Sequence, residues 1–389
     1  MSVRVGIVGS GFIAKGLVHI LGMHEDFAVS RVLTRSDINR RSDFPFPRLL
    51  TDSLNALLRE SDIVVECSGD VLHGTEVIDA VLGSGLPVVT MDAQLHVTTG
   101  SYFVGRGILT EAEGDQPGCL AALKEEAVQM GFRPLVYGNI KGFLNHTPTP
   151  GDMAYWAERQ DFSLANVTAF TDGTKVQLEQ ALAANGLGAT IAAEGLTGMK
   201  FDTVADAVDE LAALAVAAGE PISDYVLSPG SPPGVFLIAT HDQYPEQRQY
   251  LANYKLGNGP YYLLLRNYHL CHLEVSRTIR RVMSGGGILL DNGAVPRIGI
   301  AAIAKRPLKP GDAISSGIGS FDVRGIAVRI AERPAHCPIG LLQHGVVTRP
   351  VEADAILSMD DVELPRSLAL EAWLLVRGRV LSASGSSET

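Results

Sequence analysis

Residues Thr171-Asp172-Gly173-Thr174-Lys175 open a segment in which Lys175, Leu178, Glu179 and Leu182 recur at helical spacing. A lysine and a glutamate thus share one side of a helix with two leucines. As a surface ion pair this is the weaker order, because glutamate ahead of lysine suits the helix dipole better. An apolar stripe instead implies partial burial or a cleft wall. There an ammonium polarises a carbonyl or steadies an alkoxide, and the adjacent carboxyl tunes its proton affinity.

A second donor-rich stretch runs from Asn253 to His269. Strand alternation places Tyr262, Leu264 and Arg266 on one face. Tyr254, Lys255, Arg266 and His269 are groups that bind a phosphate or carboxylate and shuttle a proton. His269 and His272 lie one helical turn apart around Cys271, yet no complementary Cys or His pair stands nearby in sequence. No metal site is therefore assigned, and dependence on a divalent metal is left open. Neither a Gly-x-Ser-x-Gly elbow nor a Gly-x-x-x-x-Gly-Lys-Ser/Thr loop occurs, which argues against two classes of hydrolysis.

The reagent for such a site is indicated near residue 10. Val3 to Val8 is a β-branched run that breaks into Gly9-Ser10-Gly11-Phe12-Ile13-Ala14, followed by a helical pattern and a second strand-like run, Phe27 to Leu33. In this βαβ context Gly9 allows a tight turn and Gly11 lets the backbone approach a pyrophosphate. The helix opened by Phe12 and Ile13 turns its N–H groups to that anion. The second strand ends in Leu33-Thr34-Arg35-Ser36 where an NAD site usually carries Asp or Glu, with Arg40 and Arg41 close behind. Hydroxyls and a guanidinium suit a 2′-phosphate, so NADP(H) is preferred and NAD(H) is the alternative.

The elements that position these groups follow from composition and periodicity. At 389 residues the chain has room for two or three domains and a substantial core. Lys plus Arg is 32 against 43 for Asp plus Glu, a net charge of −11, which disfavours nucleic acid and anionic membrane and points to a small-molecule partner. No apolar span reaches membrane length and no signal-peptide pattern precedes the first strand, so a cytoplasmic location is expected. Cys67, Cys119, Cys271 and Cys337 lack Cys-x-x-Cys spacing and read as buried free thiols.

The first third alternates strand and helix, with Asp62 to Cys67 and Leu86 to Met91 as further strands. Ligands lie beyond the carboxyl ends of such strands, which brings Cys67, Ser68, Gly69 and Asp92 to the nicotinamide side of the cleft; Asp92 alternatively caps the next segment. From about Glu111 glycines and polar clusters such as Glu113 to Gly118 interrupt the apolar runs, and the last hundred residues read as short strands. The expected fold is α/β: a Rossmann-like parallel sheet domain (1–115), a central α/β substrate domain (116–295) and a small β-rich domain (296–381). A disordered tail is expected over 382–389.

Together Gly9-x-Gly11-x-x-Ala14, Leu144-Asn145-His146, Asp172-Gly173-Thr174-Lys175 with Glu179, the tyrosine-rich string from Tyr254 through Glu274, and Ala304-Lys305-Arg306-x-Leu308-Lys309-x-Gly311-Asp312 make a pattern. Over nearly its whole length the chain resembles homoserine dehydrogenase-like oxidoreductases with a C-terminal SAF (antifreeze-like) domain, the 1-deoxy-D-xylulose 5-phosphate reductoisomerase-like enzymes among them. The resemblance implies an NADP(H)-dependent reduction of a polyol or sugar-phosphate carbonyl, in some members coupled to isomerisation. It departs from the family at Leu135 to Phe143 and at Glu111 to Gly118, which leaves a non-phosphorylated or nucleotide-linked polyol open. On this reading Lys141 and Lys175 stabilise an alkoxide, and Glu179 and His269 transfer protons. Lys255 and Arg266 hold an anionic end, with Asn145, His146, Asp172 and Tyr262 also facing substrate. A homodimer is the default oligomer. The alternatives are a plain homoserine-like or polyol dehydrogenase and a nucleotide-binding sensor or assembly protein.

Overall fold

A computed structural model describes residues 2–160 and 162–385. Six strands, β1 (Val3–Val8), β2 (Phe27–Leu33), β3 (Leu50–Thr51), β4 (Ile63–Glu66), β5 (Val88–Thr90) and β6 (Leu109–Glu111), form one sheet in the order β3-β2-β1-β4-β5-β6. Every pairing in it is parallel. This is the strand order of a doubly wound dinucleotide-binding sheet, with its topological switch between β1 and β4. Parallel strands need crossovers, and the helices α1 (Phe12–Gly22), α2 (Leu54–Glu60), α3 (Val71–Gly83) and α4 (Ala93–Phe103) supply them. Ala14, Leu17, Val18 and Leu21 bury one stripe of α1 against Val5, Ile7 and Phe27.

Helix α5 (Gln116–Gln129) leads into a second sheet built from β7 (Phe132–Lys141), β8 (Met199–Lys200), β9 (Ile222–Leu227), β10 (Gly234–His241) and β11 (Tyr262–Arg266), in the order β11-β10-β7-β9-β8. β11, β10 and β7 are antiparallel, whereas β7, β9 and β8 run parallel. Residues alternate across β7. Val136 and Ile140 join the core beneath α9 (Val208–Ala218), while Tyr137, Asn139 and Lys141 turn to α8 (Thr174–Leu187). Between β7 and α8 lie the shorter helices α6 (Pro150–Gln160) and α7 (Leu164–Thr171); α10 (Arg248–Asn253) and α11 (Val275–Met283) flank β11.

Helix α8 is buried almost all round, between the second sheet, α4, α5 and the β-rich region. Its periodicity alone suggests an amphipathic helix, but its polar side chains are spent on neighbouring backbone. Thr174 Oγ1 accepts from Gly325 N–H at 2.9 Å, Gln177 Oε1 accepts from Ala327 N–H at 2.8 Å, and Gln180 Nε2 donates to the Tyr137 carbonyl at 2.9 Å. Those bonds satisfy groups that would otherwise be buried without partners. The helix is thereby fixed to the strands on both sides.

The β-rich region pairs β12 (Ile298–Ala304) with β14 (Val323–Arg329), while β15 (Gln343–Val347) lies between β13 (Ala313–Ser316) and β16 (Val362–Glu363) and pairs with both. The last helix, α12 (Leu368–Gly385), leaves that region and packs on α3 and α4, where Ala369 and Trp373 join the core of the first sheet with Val64, Ile78 and Leu95. It also corrects the expected tail. Residues 382–385 continue the helix because Val376 and Val380 anchor the preceding turns and Ser382 and Ser384 hydroxyls bond back to the carbonyls of Gly378 and Val380. Residues 386–389 lie outside the described ones. No helix among the described residues is long and apolar enough to cross a membrane.

Candidate active site between the two sheets

The glycine-rich turn is set by close approach. Gly9 has φ +100°, and a Cβ there would lie 2.8 Å from the Cys67 carbonyl oxygen, so the turn after β1 fits against the turn after β4 only without a side chain. Gly11 caps α1, and Phe12 and Ile13 form its first turn. The Phe12 ring lies 5.0 Å from that of Phe162 and 6.2 Å from that of His272. Cys67 Sγ donates to the Val8 carbonyl at 3.3 Å, and Gly69, at φ +70°, accepts through its carbonyl from Gln94 Nε2 at 2.7 Å.

Beyond β2 a cleft of about 570 Å³ is lined by Thr34, Arg35, Ser36, Asp37, Asn39 and His73, among others. Arg35 meets the Asp70 carboxylate at 2.5 Å, yet its side chain is 63% exposed and faces this cleft, where it can turn to a ligand. Arg41 is instead committed to the turn: its guanidinium donates to the Ser10 hydroxyl and, at 2.6 Å, to the Ser10 carbonyl, while Asp43 holds it at 2.8 Å. Ser10 and Thr34 hydroxyls share a 2.8 Å hydrogen bond. The cleft lies beyond the end of β2, and the Ser10–Thr34 hydrogen bond links it to the glycine-rich turn; its hydroxyls and the Arg35 guanidinium are groups that can hold an anion.

The lysine cluster faces the carboxyl ends of β4, β5 and β6. Lys175 Nζ lies 3.3 Å from Asp115 and 3.6 Å from Glu179; Lys141 Nζ lies 3.1 Å from Glu179 and 3.3 Å from Gln116 Oε1. Asn139 closes the ring, donating to Glu179 at 2.9 Å and accepting from Gln116 Nε2 at 3.0 Å. Burial works against a charge on Lys175, but Asp115, Glu179, Asp92 and Glu111 more than offset it and hold its proton affinity above the ordinary lysine value. Cys271 borders the cluster. Burial, then Asp115, pushes its thiol up to about 11.

Behind Lys175 stand carboxyls from three neighbouring strand ends. Glu66 accepts from Ser68 N–H at 2.8 Å, Ser68 Oγ at 2.6 Å and Thr90 Oγ1 at 2.9 Å. Asp92 caps α4 by accepting from Leu95 N–H at 3.2 Å, and its other oxygen, Oδ2, is buried with no partner. Glu111, fully buried, lies 2.8 Å from His96 Nδ1. Burial, with help from Glu66, raises the Asp92 carboxyl to about 8; burial raises Glu111 well above its usual range and lowers His96 to about 3.

Residues 114–275 match the family model for the catalytic domain of the oxidoreductase DRL. That region is less than half of the chain, and it contains Asp115, Asn139, Lys141, Lys175 and Glu179; the match supports an oxidoreductase. No curated protein sequence matches the chain. Among solved structures, it is similar to biliverdin reductase from Synechocystis sp. PCC 6803, crystallised with biliverdin and NADP+, at 19% identity over 38% of this chain and 49% of that one, with a TM-score of 0.29. It thus spans about half the length of that reductase. It is also similar to a dehydrogenase from Clostridium difficile (13% identity, 74% of this chain and 93% of that one, TM-score 0.41) and to UDP-N-acetylglucosamine 3-dehydrogenase from Acidithiobacillus ferrooxidans (10%, 75% and 92%, TM-score 0.42).

Several expected substrate contacts fall elsewhere. Arg266 is clasped by Glu274 and lies 3.5 Å from Glu113, so its charge is spent on tying β11 to the segment before α5. Tyr262 is fully buried against Phe132, at the opposite end of β11 from Arg266, because strand register carries it with Ala239 to the far edge of the sheet. Lys255 is exposed in the connection before β11 at that same far end, with φ +66°. Asp172 is buried in a 2.6 Å ion pair with Lys305 and caps Thr174 N–H at 2.8 Å, which makes it a fastening of α8 to the β-rich region. Asn145 and His146 are exposed in the loop after β7; Asn145 N–H donates to the Thr171 carbonyl at 2.8 Å. His269 Nδ1 is buried without a partner and makes no hydrogen bond to the lysine cluster.

Sequence reading overlooked Asp115, Gln116, Asn139, Glu111 and His96. The missed signal was an Asp followed at the second helical position by Pro117: Asp115 caps α5 by accepting from Gln116 N–H at 3.1 Å. Glu113 to Gly118 read as a plain polar loop. Gly114, at φ +105°, brings that loop within reach of Cys271, whose carbonyl oxygen would lie 2.0 Å from a Cβ there.

Proposed function

We propose that this protein is an NADP(H)-dependent oxidoreductase that reduces the carbonyl of a small polyol or sugar-type substrate. The observation that carries the proposal is the convergence of Lys141, Lys175 and Glu179 from the second sheet layer upon the carboxyl ends of β4–β6. In a doubly wound sheet that is where the reactive half of a dinucleotide lies. The bound coenzyme would supply a hydride equivalent to the carbonyl carbon. The turn at Gly9–Ile13 would hold its pyrophosphate, and Thr34, Arg35 and Ser36 its 2′-phosphate.

The protein's own part is electrostatic. Lys175 keeps its proton firmly, so at neutral pH it donates a hydrogen bond to the substrate oxygen and strengthens it as negative charge develops there. Lys141 adds a second donor, and Glu179, bonded by Lys141 and Asn139, fixes both ammonium groups in place. A proton then passes from Lys175 to the alkoxide oxygen, and Asp115 at 3.3 Å holds the side chain in line while solvent restores it.

Reduction of a panel of sugars, sugar phosphates and polyol-derived ketones, followed as loss of NADPH, tests the proposal, and NMR of the product separates simple reduction from rearrangement. Turnover that survives Lys175→Ala would remove the lysine from the site. Failure to bind either pyridine nucleotide would remove the function.

A further inference from the structure

We propose that binding of the oxidised coenzyme drives a proton off the Asp92 carboxyl, whereas binding of the reduced coenzyme does not, so that the site tells the two apart by pH. The inference rests on the coenzyme assignment above and adds a role for Asp92 within it.

Asp92 stands at the carboxyl end of β5, the edge that borders the nicotinamide in this type of sheet. It is 5% exposed. Its Oδ1 is satisfied by the Leu95 N–H, but Oδ2 has no donor, in contrast to Glu66 next to it, which has three. A buried carboxylate oxygen without a partner is costly, and a proton removes that cost. The charged and titratable groups in its field are Glu66 and Cys67 after β4, Glu111 and Asp115 around the end of β6, and Lys175 on α8. Burial first, then the surplus of acids over the single lysine, favours the neutral form and raises this carboxyl to about 8.

Reduced and oxidised nicotinamide differ here by one positive charge on the ring. A cation entering this water-poor corner attracts the carboxylate form of Asp92, and the displaced proton leaves to solvent. A neutral ring exerts no such pull. The 2′-phosphate is common to both coenzyme forms, so its own titration cancels in the comparison.

The test is isothermal titration calorimetry of the full chain with NADP+ and with NADPH, in phosphate and in Tris, whose ionisation heats differ widely. At pH 7, NADP+ is expected to release roughly half to one proton more than NADPH does, and NADP+ affinity should rise relative to NADPH affinity by up to about tenfold per pH unit between pH 6 and 8. Asp92→Asn keeps a residue able to cap α4 and should abolish the release. The wild-type comparison stands by itself if that variant fails to fold. Equal proton release by both coenzymes, or an excess for NADP+ that persists in Asp92→Asn, overturns the inference and leaves the coenzyme assignment intact. Absence of binding by both overturns the two together.

Discussion

Replacing Lys175 with methionine should steepen the fall of stability with rising pH that the buried carboxyls already impose on the wild-type protein. The side chain is 20% exposed and lies 3.3 Å from Asp115 and 3.6 Å from Glu179. At an effective dielectric constant of about 20, each contact corresponds to about 5 kcal/mol of direct attraction, much of it returned as desolvation. Removing one partner of such a buried set costs about 3–5 kcal/mol, chiefly because Asp115 loses its cation while Glu179 keeps only Lys141. The buried acidic cluster as a whole then keeps one proton in the folded variant that the unfolded chain does not hold above the ordinary carboxyl range. The native state binds more protons, so stability relative to wild type falls as pH rises, by about 1.4 kcal/mol per unit for one proton. Urea unfolding at pH 6 and pH 8 should show the variant recovering about 2–3 kcal/mol of its deficit at the lower pH. NADPH affinity should change little, since the lysine is assigned to substrate. A deficit equal at both pH values would refute the claim that Lys175 neutralises this cluster.

Arg35→Ala should weaken NADP(H) binding by about 1.5–3 kcal/mol, roughly 10- to 100-fold, and leave NAD(H) binding nearly unchanged, as read by fluorescence titration; equal losses for both would exclude a contact with the 2′-phosphate. Gly9→Ala forces a side chain into the left-handed region and against the Cys67 carbonyl, and should cost at least about 1–3 kcal/mol in thermal or urea unfolding together with most of the coenzyme affinity. Lys305→Met strands Asp172 and should destabilise by about 3–5 kcal/mol. The double variant with Asp172→Asn should recover part of that loss, and a purely additive cycle would deny the pair any coupling.

Local pattern made much of the first sheet readable. The strand-like run Phe27–Leu33 keeps its bounds as β2, and the helical pattern that follows the glycine-rich turn falls within α1, because each signal lies wholly within one element. The uninterrupted apolar run Ile298–Ala304 likewise falls within a single strand, β12, paired antiparallel with β14. Lys175 and Glu179 could be paired through helical spacing, but their partners Asp115 and Asn139 come from α5 and β7, and nothing local in sequence ties these to α8. Arg266 shows the opposite failure. Its residue type suits an anion, yet whether Glu274 and Glu113 fold back onto it is decided by tertiary packing. Tyr262 was given the correct face and the wrong end, since alternation fixes which side a residue takes and says nothing of where along the sheet a site will open.

Trp373 and Ala369 close the apolar layer over Val64, Ile78 and Leu95, more than two hundred and seventy positions after those residues. During synthesis the first sheet therefore waits, partly uncovered, until α12 emerges from the ribosome. Clipping or fusing a cargo at that helix would loosen the sheet built from residues 3–111.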